Sequence, residues 1–540
     1  MLKNDANRRL NMKVRPSSLT TVISVVAMVS LAGAVAWGQL PSFDGGMNLQ
    51  VAKSLADSGL YGRSYDGLEL FPSGVQTNGI PLLVGALSIK VAGLNEFSLQ
   101  VPNLIFLAAL AILFVLLARP LPWLGALAPL VLLGVPVLLL FGLGGYGEVP
   151  TFTFQLAAFL LLAHGLSAQN RSVRRRYQLG AFSLAGVAIV TKTVGVAVLP
   201  ALVLMVGLQR VADRKSDWRL DLASIAALLA PIAAFEAFRL VHFGNVDEYL
   251  AYWSYSVDRI GYHSGLSGGA AEGGYKYRAE IPFTTEGLSA PEFRMQRFGE
   301  TFAWGRGFAL MFVGTPLLFA VTLWVRTLRR MWREPRPLGS LKLLILGLSA
   351  FIAIYFAWWL FITPLERLWP RRIMIGTLAL YALYLLLLRL VRGERGYAGR
   401  GLAAAVLLSV LLVAAAAPWI PPAVAVSPYR SANLADFKAA VDFVDSLPAE
   451  ARVYGYGWWS APQLGLYVGR TVRDLSVVPV CEVAGLEAYL IWEDGASRLS
   501  SPEPPTRGSR LDYDLVAEFE DTADIYRVRP AEGLCDDRAG

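Results

Sequence analysis

Apolar runs of near membrane-spanning length, separated by short arginine-bearing loops, recur from residue 19 to residue 417. Inside a bilayer no water bonds the backbone, so such runs can only become helices or closed barrel strands, and stretches of ~20 residues select helices. The chain is therefore read as a polytopic membrane protein, mainly α. Composition agrees, because charged residues are 17% against roughly 25% in soluble domains. A net charge of +8 could suggest nucleic acid. The basic residues, however, cluster in loops between apolar runs. That reports topology, so the bilayer is an expected partner and nucleic acid is not. No zinc-type Cys/His cluster or Gly-rich phosphate loop stands out, which disfavours metal-hydrolase and soluble-nucleotide chemistry.

The first run, 19–37, follows a basic N-terminus. It is nearer in length to a spanning anchor than to a signal-peptide core, although Ala34-Val35-Ala36 resembles a cleavage site. Further spans are expected at 101–118, 121–142, 149–166, 222–240, 308–324, 343–362, 373–390 and 402–417. The run 179–208 is too long for one untilted pass and is interrupted by Thr191-Lys192-Thr193. Basic loops flank it at 171–176 and 210–219, so it is read as an out-and-back pair with Lys192 near the turn. This gives about eleven spans, with the N-terminus and the basic loops cytoplasmic. Outside fall 39–95, 142–148, Lys192, 244–306, 363–372 and everything after Pro418. The segment 79–94 is apolar but holds Lys90 and reads as an interfacial or re-entrant helix.

Two domains are expected. A transmembrane domain covers 1–418, with a first outer loop at 39–95 and a large outer loop at 244–306. After Pro418 the composition turns polar, and 419–540 reads as a small extracytoplasmic α/β domain. It should open with an amphipathic helix at 432–447 and carry strands at 452–456, 475–480, 489–492, 515–519 and 523–528. Its cysteines, Cys481 and Cys535, could pair in an oxidising compartment.

Several features are hard to explain as bilayer packing. Asp44 emerges from the first apolar run beside Gly45 and Gly46, which leave room for a bulky ligand next to a carboxylate. By itself it could equally be a helix cap. Glu148, in Tyr146-Gly147-Glu148-Val149-Pro150, is a second acid at a span's edge, where it also suits a helix N-terminus. Lys192 within an apolar run costs at least ~2.5 kcal/mol unless it is satisfied or snorkels. Thr363 to Arg372 places Arg367, Arg371 and Arg372 in a very short outer loop, against the positive-inside trend. Arginine grips phosphate in bidentate geometry, so a lipid-linked phosphate would account for them. Outward acids opposed by outward cations describe a site that moves a group off a phosphate. A carboxylate deprotonates an acceptor hydroxyl while cations stabilise the departing phosphate. The aromatic stretch Tyr252-Trp253-Ser254-Tyr255 could stack on sugars, though it also reads as ordinary loop.

These residues resemble a known family, the GT-C glycosyltransferases that use polyprenyl-phosphate-linked sugars. The likeness is to the branch of protein O-mannosyltransferases and lipid A aminoarabinose transferases. It rests on Asp44 with Pro72-Ser73-Gly74 and Thr77-Asn78-Gly79-Ile80-Pro81-Leu82 in the first outer loop. It continues through Gly147-Glu148-Val149-Pro150, Thr191-Lys192-Thr193-Val194-Gly195 and Glu366-Arg367-Leu368-Trp369-Pro370. The motifs are short, and their order and spacing carry the match. The resemblance implies a membrane-embedded inverting transferase of the bacterial-type inner membrane, moving a sugar from a polyprenyl-phosphate donor to a glycan, lipid or protein. It implies Asp44 as catalytic base, Glu148 as a second site acid, and Lys192 and Arg367 on the donor phosphate, with Arg371 and Arg372 as helpers. A divalent cation shared by Asp44 and Glu148 is possible but not established by two carboxylates. Gly45 stands where the mannosyltransferases often have Glu, and Leu368 where Tyr is common. Trp458-Trp459-Ser460 lacks the acid of the oligosaccharyltransferase Trp-Trp-Asp motif, so that function is not carried over. Competing readings are a transporter or flippase of lipid-linked sugars and a non-catalytic envelope-assembly protein.

Overall fold

The computed structural model describes residues 19–36, 43–64, 68–71, 77–119, 122–135, 138, 143–144, 147–213, 217–264, 290–302, 305–333, 336–363, 368, 370–393, 398–417, 434–456, 461, 463–475, 478–493, 510–520, 522–532 and 534–535. Among them, seven helices are long and apolar enough to cross a membrane, and four shorter apolar helices accompany them. The protein is a multi-pass membrane protein. The helices are α1 (Leu19–Ala36), α2 (Phe43–Ser58), α3 (Ile80–Ala92), α4 (Glu96–Ala118), α5 (Pro122–Leu133), α6 (Glu148–Leu166), α7 (Arg171–Thr191) and α8 (Leu199–Asp213). They continue with α9 (Trp218–Phe243), α10 (Val246–Ser264), α11 (Ala290–Thr301), α12 (Arg306–Arg333), α13 (Ser340–Ala357), α14 (Met374–Gly393) and α15 (Ala398–Ala416).

Packing sorts these helices by depth. The spanning part of α14 is 83% buried inside the protein, whereas that of α9 is 11% buried and faces outward. A central helix in lipid must still satisfy its polar atoms. Two buried tyrosines of α14 do so across helices: Tyr381 Oη donates to Gly134 O at 2.8 Å and Tyr384 Oη to Phe312 O at 2.6 Å. The first run is an 18-residue helix with Met28 and Ala32 buried in the core shared with α4 and α5.

The long run 179–208 does turn back. Its chain breaks at Lys192, which is extended at φ −157°, and resumes through the 3-10 turn Thr193–Val198 into α8. Arg174 near the start of α7 meets Asp213 at the end of α8 at 3.2 Å, so the two helices run antiparallel. An Arg171–Asp217 pair joins the two basic loops, and an Arg210–Asp221 pair ties the end of α8 to the start of α9. Of the span expected at 121–142, residues 122–133 form the helix α5, which passes into a turn at Gly134; residues 136, 137 and 139–142 lie outside the described residues. The segment read as interfacial is the 13-residue α3, too short to cross a core of about 30 Å. Leu83, Leu87 and Val91 form its exposed apolar stripe.

The C-terminal part pairs a helix α16 at 434–446 with a five-stranded mixed sheet, among the described residues, of order β4-β3-β5-β7-β6. Here β3 is Arg452–Gly455, β4 Val472–Asp474, β5 Ala488–Glu493, β6 Leu511–Phe519 and β7 Ala523–Pro530. A short antiparallel hairpin, β1 (Gly62–Ser64) with β2 (Leu68–Leu70), lies in the 39–95 segment between α2 and α3. The strand expected at 475–480 is instead β4, three residues earlier, pairing Val472–Asp474 in parallel with Val453–Gly455. Residues 480–482 form a 3-10 turn, as Pro479 has no N–H for a ladder. Cys481 and Cys535 are bridged.

A one-turn helix α17 (Leu464–Tyr467) carries this sheet onto α2. Leu466 packs among Leu49, Ala52 and Ile89, and Lys53 Nζ donates to Leu466 O at 3.0 Å and Val468 O at 3.4 Å. Burial pulls the Lys53 ammonium below its ordinary range, against the opposing pull of Asp57 and Asp445. Glu493, at the end of β5, is buried and accepts from Leu464 N at 2.9 Å and Gln463 N at 3.4 Å. Desolvation pushes its carboxyl up to about 8, outweighing these two backbone bonds. The unfolded chain releases this proton near 4.5 and the folded one near 8, so the folded state holds more protons between those values. Glu493 thus adds stability below that window, and the gain is lost as pH rises through it. The unfolding temperature of the wild type should fall from about pH 4.5 to 8, and Glu493→Gln should flatten that part of the profile.

Candidate active site

Asp44 lies in the first turn of α2, where a carboxylate faces the positive end of the helix dipole, and it is only 2% exposed. Gly45 and Gly46 beside it are buried as well, so the backbone packs closely at this turn. One helical turn on, Asn48 shares the face of Asp44. Its amide exchanges two bonds with Thr77: Asn48 Nδ2 donates to Thr77 Oγ1 at 3.3 Å, and Thr77 N donates to Asn48 Oδ1 at 3.4 Å. Thr77 in turn rests against Gly147. A Cβ added at Gly147 would fall 2.3 Å from Thr77 Oγ1, and the residue sits at φ +82°, so glycine is required twice over.

Gly147 is the N-cap of α6, which places Glu148 in the first turn, 4% exposed. Glu148 Oε1 accepts from Lys192 Nζ at 2.6 Å. Its Oε2 is buried with no hydrogen-bond partner among the described residues. Lys192 reaches it because the backbone is extended at the break between α7 and the 3-10 turn. The same break is tied to the first outer loop: Asn78 N donates to Thr191 O at 2.9 Å, and Tyr61 Oη donates to Asn78 Oδ1 at 2.9 Å. Gly79, at φ +66°, lies so near α7 that a Cβ would come within 2.9 Å of Val190.

The turn between α13 and α14 closes the arrangement. Tyr355 Oη donates to Arg372 O at 2.6 Å, and Tyr355 is within electrostatic reach of both Glu148 and Arg372. The structure thus brings together Asp44, Glu148, Lys192 and the backbone of Arg372 at one end of the bundle. Arg367 lies outside the described residues, as does the side chain of Arg371. The ends segregate: the Arg171–Asp217, Arg174–Asp213 and Arg210–Asp221 pairs lie at one end and these residues at the other.

Sequence reading missed the connectors Asn48, Tyr61 and Tyr355 and a device on α9. Arg239, 4% exposed, pairs with Glu236 at 2.8 Å inside an apolar span. Its guanidinium lies 4.5 Å from the Tyr252 ring, 4.9 Å from Phe235, 5.2 Å from Phe71 and 5.4 Å from Trp253. Trp253 Nε1 and Tyr249 Oη also donate to Glu236 Oε2. The aromatics weighed as a sugar platform are therefore stacked on an arginine. Phe71, at φ +44°, stacks on Tyr61 at 4.6 Å and meets Phe235 and Phe238 of α9 and Tyr252 of α10 edge-on, which pins this segment to both helices. Two ionisable residues three apart in an apolar run were the available signal.

No protein-family model matches the chain, and no curated protein is significantly similar to it. Solved structures do match. ArnT from Cupriavidus metallidurans bound to undecaprenyl phosphate superposes with a TM-score of 0.59 at 15% identity, covering 94% of this chain and 97% of that one. The apo oligosaccharyltransferase of Archaeoglobus fulgidus gives a TM-score of 0.51 at 13% identity, covering 88% and 69%. The likeness is one of fold: the chain shares the architecture of these two structures.

Removing one member of a buried ion pair strands the other, at a cost of about 3–5 kcal/mol. Glu148→Gln and Lys192→Met should each lower the unfolding temperature in detergent, and the double variant should recover most of the loss. Gly147→Ala should also destabilise, and Thr77→Ser should not relieve it, because the hydroxyl that clashes remains.

Proposed function

We propose that the protein is an inverting glycosyltransferase of a bacterial-type cytoplasmic membrane. It transfers a sugar from a polyprenyl-phosphate donor to a glycan, lipid or protein acceptor at the outer face. The observation that carries this reading is the convergence of Asp44, the Glu148–Lys192 pair and the Arg372 turn at one end of a GT-C bundle. Binding of undecaprenyl phosphate by ArnT, which shares the fold, supports a lipid phosphate as leaving group. The disulfide between Cys481 and Cys535 supports an oxidising compartment for the C-terminal domain 419–540, and hence for the site beneath it.

In this mechanism an acceptor hydroxyl attacks the anomeric carbon from the face opposite the phosphate. Asp44 accepts the hydroxyl proton as the new C–O bond forms. The bond from the anomeric carbon to the phosphate oxygen breaks, and its electron pair leaves with the polyprenyl phosphate. Arg367, Arg371, Arg372 and Lys192 stabilise the charge that develops there. Glu148 fixes the position of Lys192 and makes the resting pair neutral, so Lys192 is held without an unbalanced buried charge. A divalent cation would find the carboxylates of Asp44 and Glu148. Glu148 Oε1 is already bonded to Lys192, and among the described residues no three His, Cys, Asp or Glu come together. No step is routed through a metal. The transporter reading expects paired broken helices with ionisable groups at mid-bilayer from both halves; the break at Lys192 instead joins groups at one end of the bundle.

Loss of a general base lowers rate by roughly 10²–10⁴-fold. Asp44→Asn, reconstituted with a labelled polyprenyl-phosphate sugar and crude envelope acceptor, should lose product by that factor with its unfolding temperature kept. Undiminished transfer would remove Asp44 from the mechanism, and movement of donor with no new glycosidic product from the wild type would favour the flippase.

A further inference from the structure

At the opposite end of α13 and α14 from Tyr355 and Arg372 lies a recess of about 370 Å³ between the end of α12, the start of α13 and the end of α14. Four cations line it, Arg330, Arg336, Lys342 and Arg389, and none of its described lining residues is acidic. The positive-inside trend explains basic residues near this end. It does not explain why four of them, from three helices and a loop, border one recess. The stretches 326–342 and 389–395 together hold nine basic residues and two acids, Glu334 and Glu394, so carboxylates from the flanking loops leave the excess in place. Arg389 is half-buried, and among the described residues its one hydrogen bond goes to Leu117 O at 3.2 Å. A guanidinium withdrawn from water beside other cations is costly unless an anion joins it.

We propose that this recess binds the anionic phosphate headgroup of a membrane phospholipid. A lipid is favoured over a free phosphate by the rest of the lining, where Met331, Leu338, Leu341 and Leu390 offer apolar surface to the start of an acyl chain. Trp332, on the last turn of α12, is 87% exposed, which suits the level of the bilayer interface. Basic pockets between membrane helices hold such headgroups by charge and by guanidinium hydrogen bonds. The site is separate from the transfer chemistry and does not depend on it.

The test uses the full chain in nanodiscs of phosphatidylglycerol or of phosphatidylcholine, with native mass spectrometry of the released protein. The wild type should retain phosphatidylglycerol in preference to phosphatidylcholine. Arg330→Gln/Lys342→Gln should reduce that retention by about thirty-fold, given the attraction each of the two cations contributes. The charge-preserving Arg330→Lys/Lys342→Arg should retain it, which separates loss of charge from loss of fold. Equal retention of the two lipids, or unchanged retention in the glutamine variant, would overturn the proposal. Displacement of the bound lipid by millimolar inorganic phosphate would overturn it too, in favour of a site for a free anion.

Discussion

The site depends on a carboxylate and an ammonium held together out of water, Glu148 and Lys192. Such a pair is no bargain for stability, since apolar residues of similar volume often do as well or better. What it accomplishes is placement. Lys192 can sit at the break between α7 and α8 only because Glu148 meets it from the first turn of α6. Glu148 is there because Gly147 adopts a left-handed conformation and presses against Thr77. From Thr77 the contacts pass to Asn48 and along one turn of α2 to Asp44. Four stretches far apart in sequence thus become one surface through bonds of about 2.6–3.4 Å.

The C-terminal sheet bears on the same helix. Its one-turn helix α17 lies on α2, fixed by Leu466 and by Lys53, while Glu493 holds the start of that helix from β5. The helix that presents Asp44 is therefore gripped from above by the sheet and from the side by the first outer loop. That loop is itself pinned through Phe71 to the guanidinium of Arg239.

Much of the architecture was legible because bilayer physics is severe. Run length and arginine loops located the helices, and the flanking charges of 179–208 implied its reversal, now seen in the Arg174–Asp213 pair. The order of Asp44, Glu148 and Lys192 was legible as a constellation, but their connection was not. Asn48 and Tyr355 look like ordinary helix residues until tertiary contacts give them partners. The strand at 472–474 was misplaced because its pairing with β3 outweighs the β-propensity of 475–480. Tyr252 and Trp253 read equally as a sugar platform or as ordinary loop, and only the fold shows Arg239 over both rings.

Affinity for undecaprenyl phosphate separates binding from chemistry at this site. Titrated into the purified protein in nanodiscs, the lipid should bind wild type and Asp44→Asn alike, because a base acts on the acceptor proton and not on the phosphate. It should bind Arg372→Gln about ten-fold more weakly, the cost of one charge-assisted bond. Equal affinity in all three proteins, or weaker binding in Asp44→Asn alone, would contradict a site in which cations at the α13–α14 turn hold the phosphate and Asp44 serves as base.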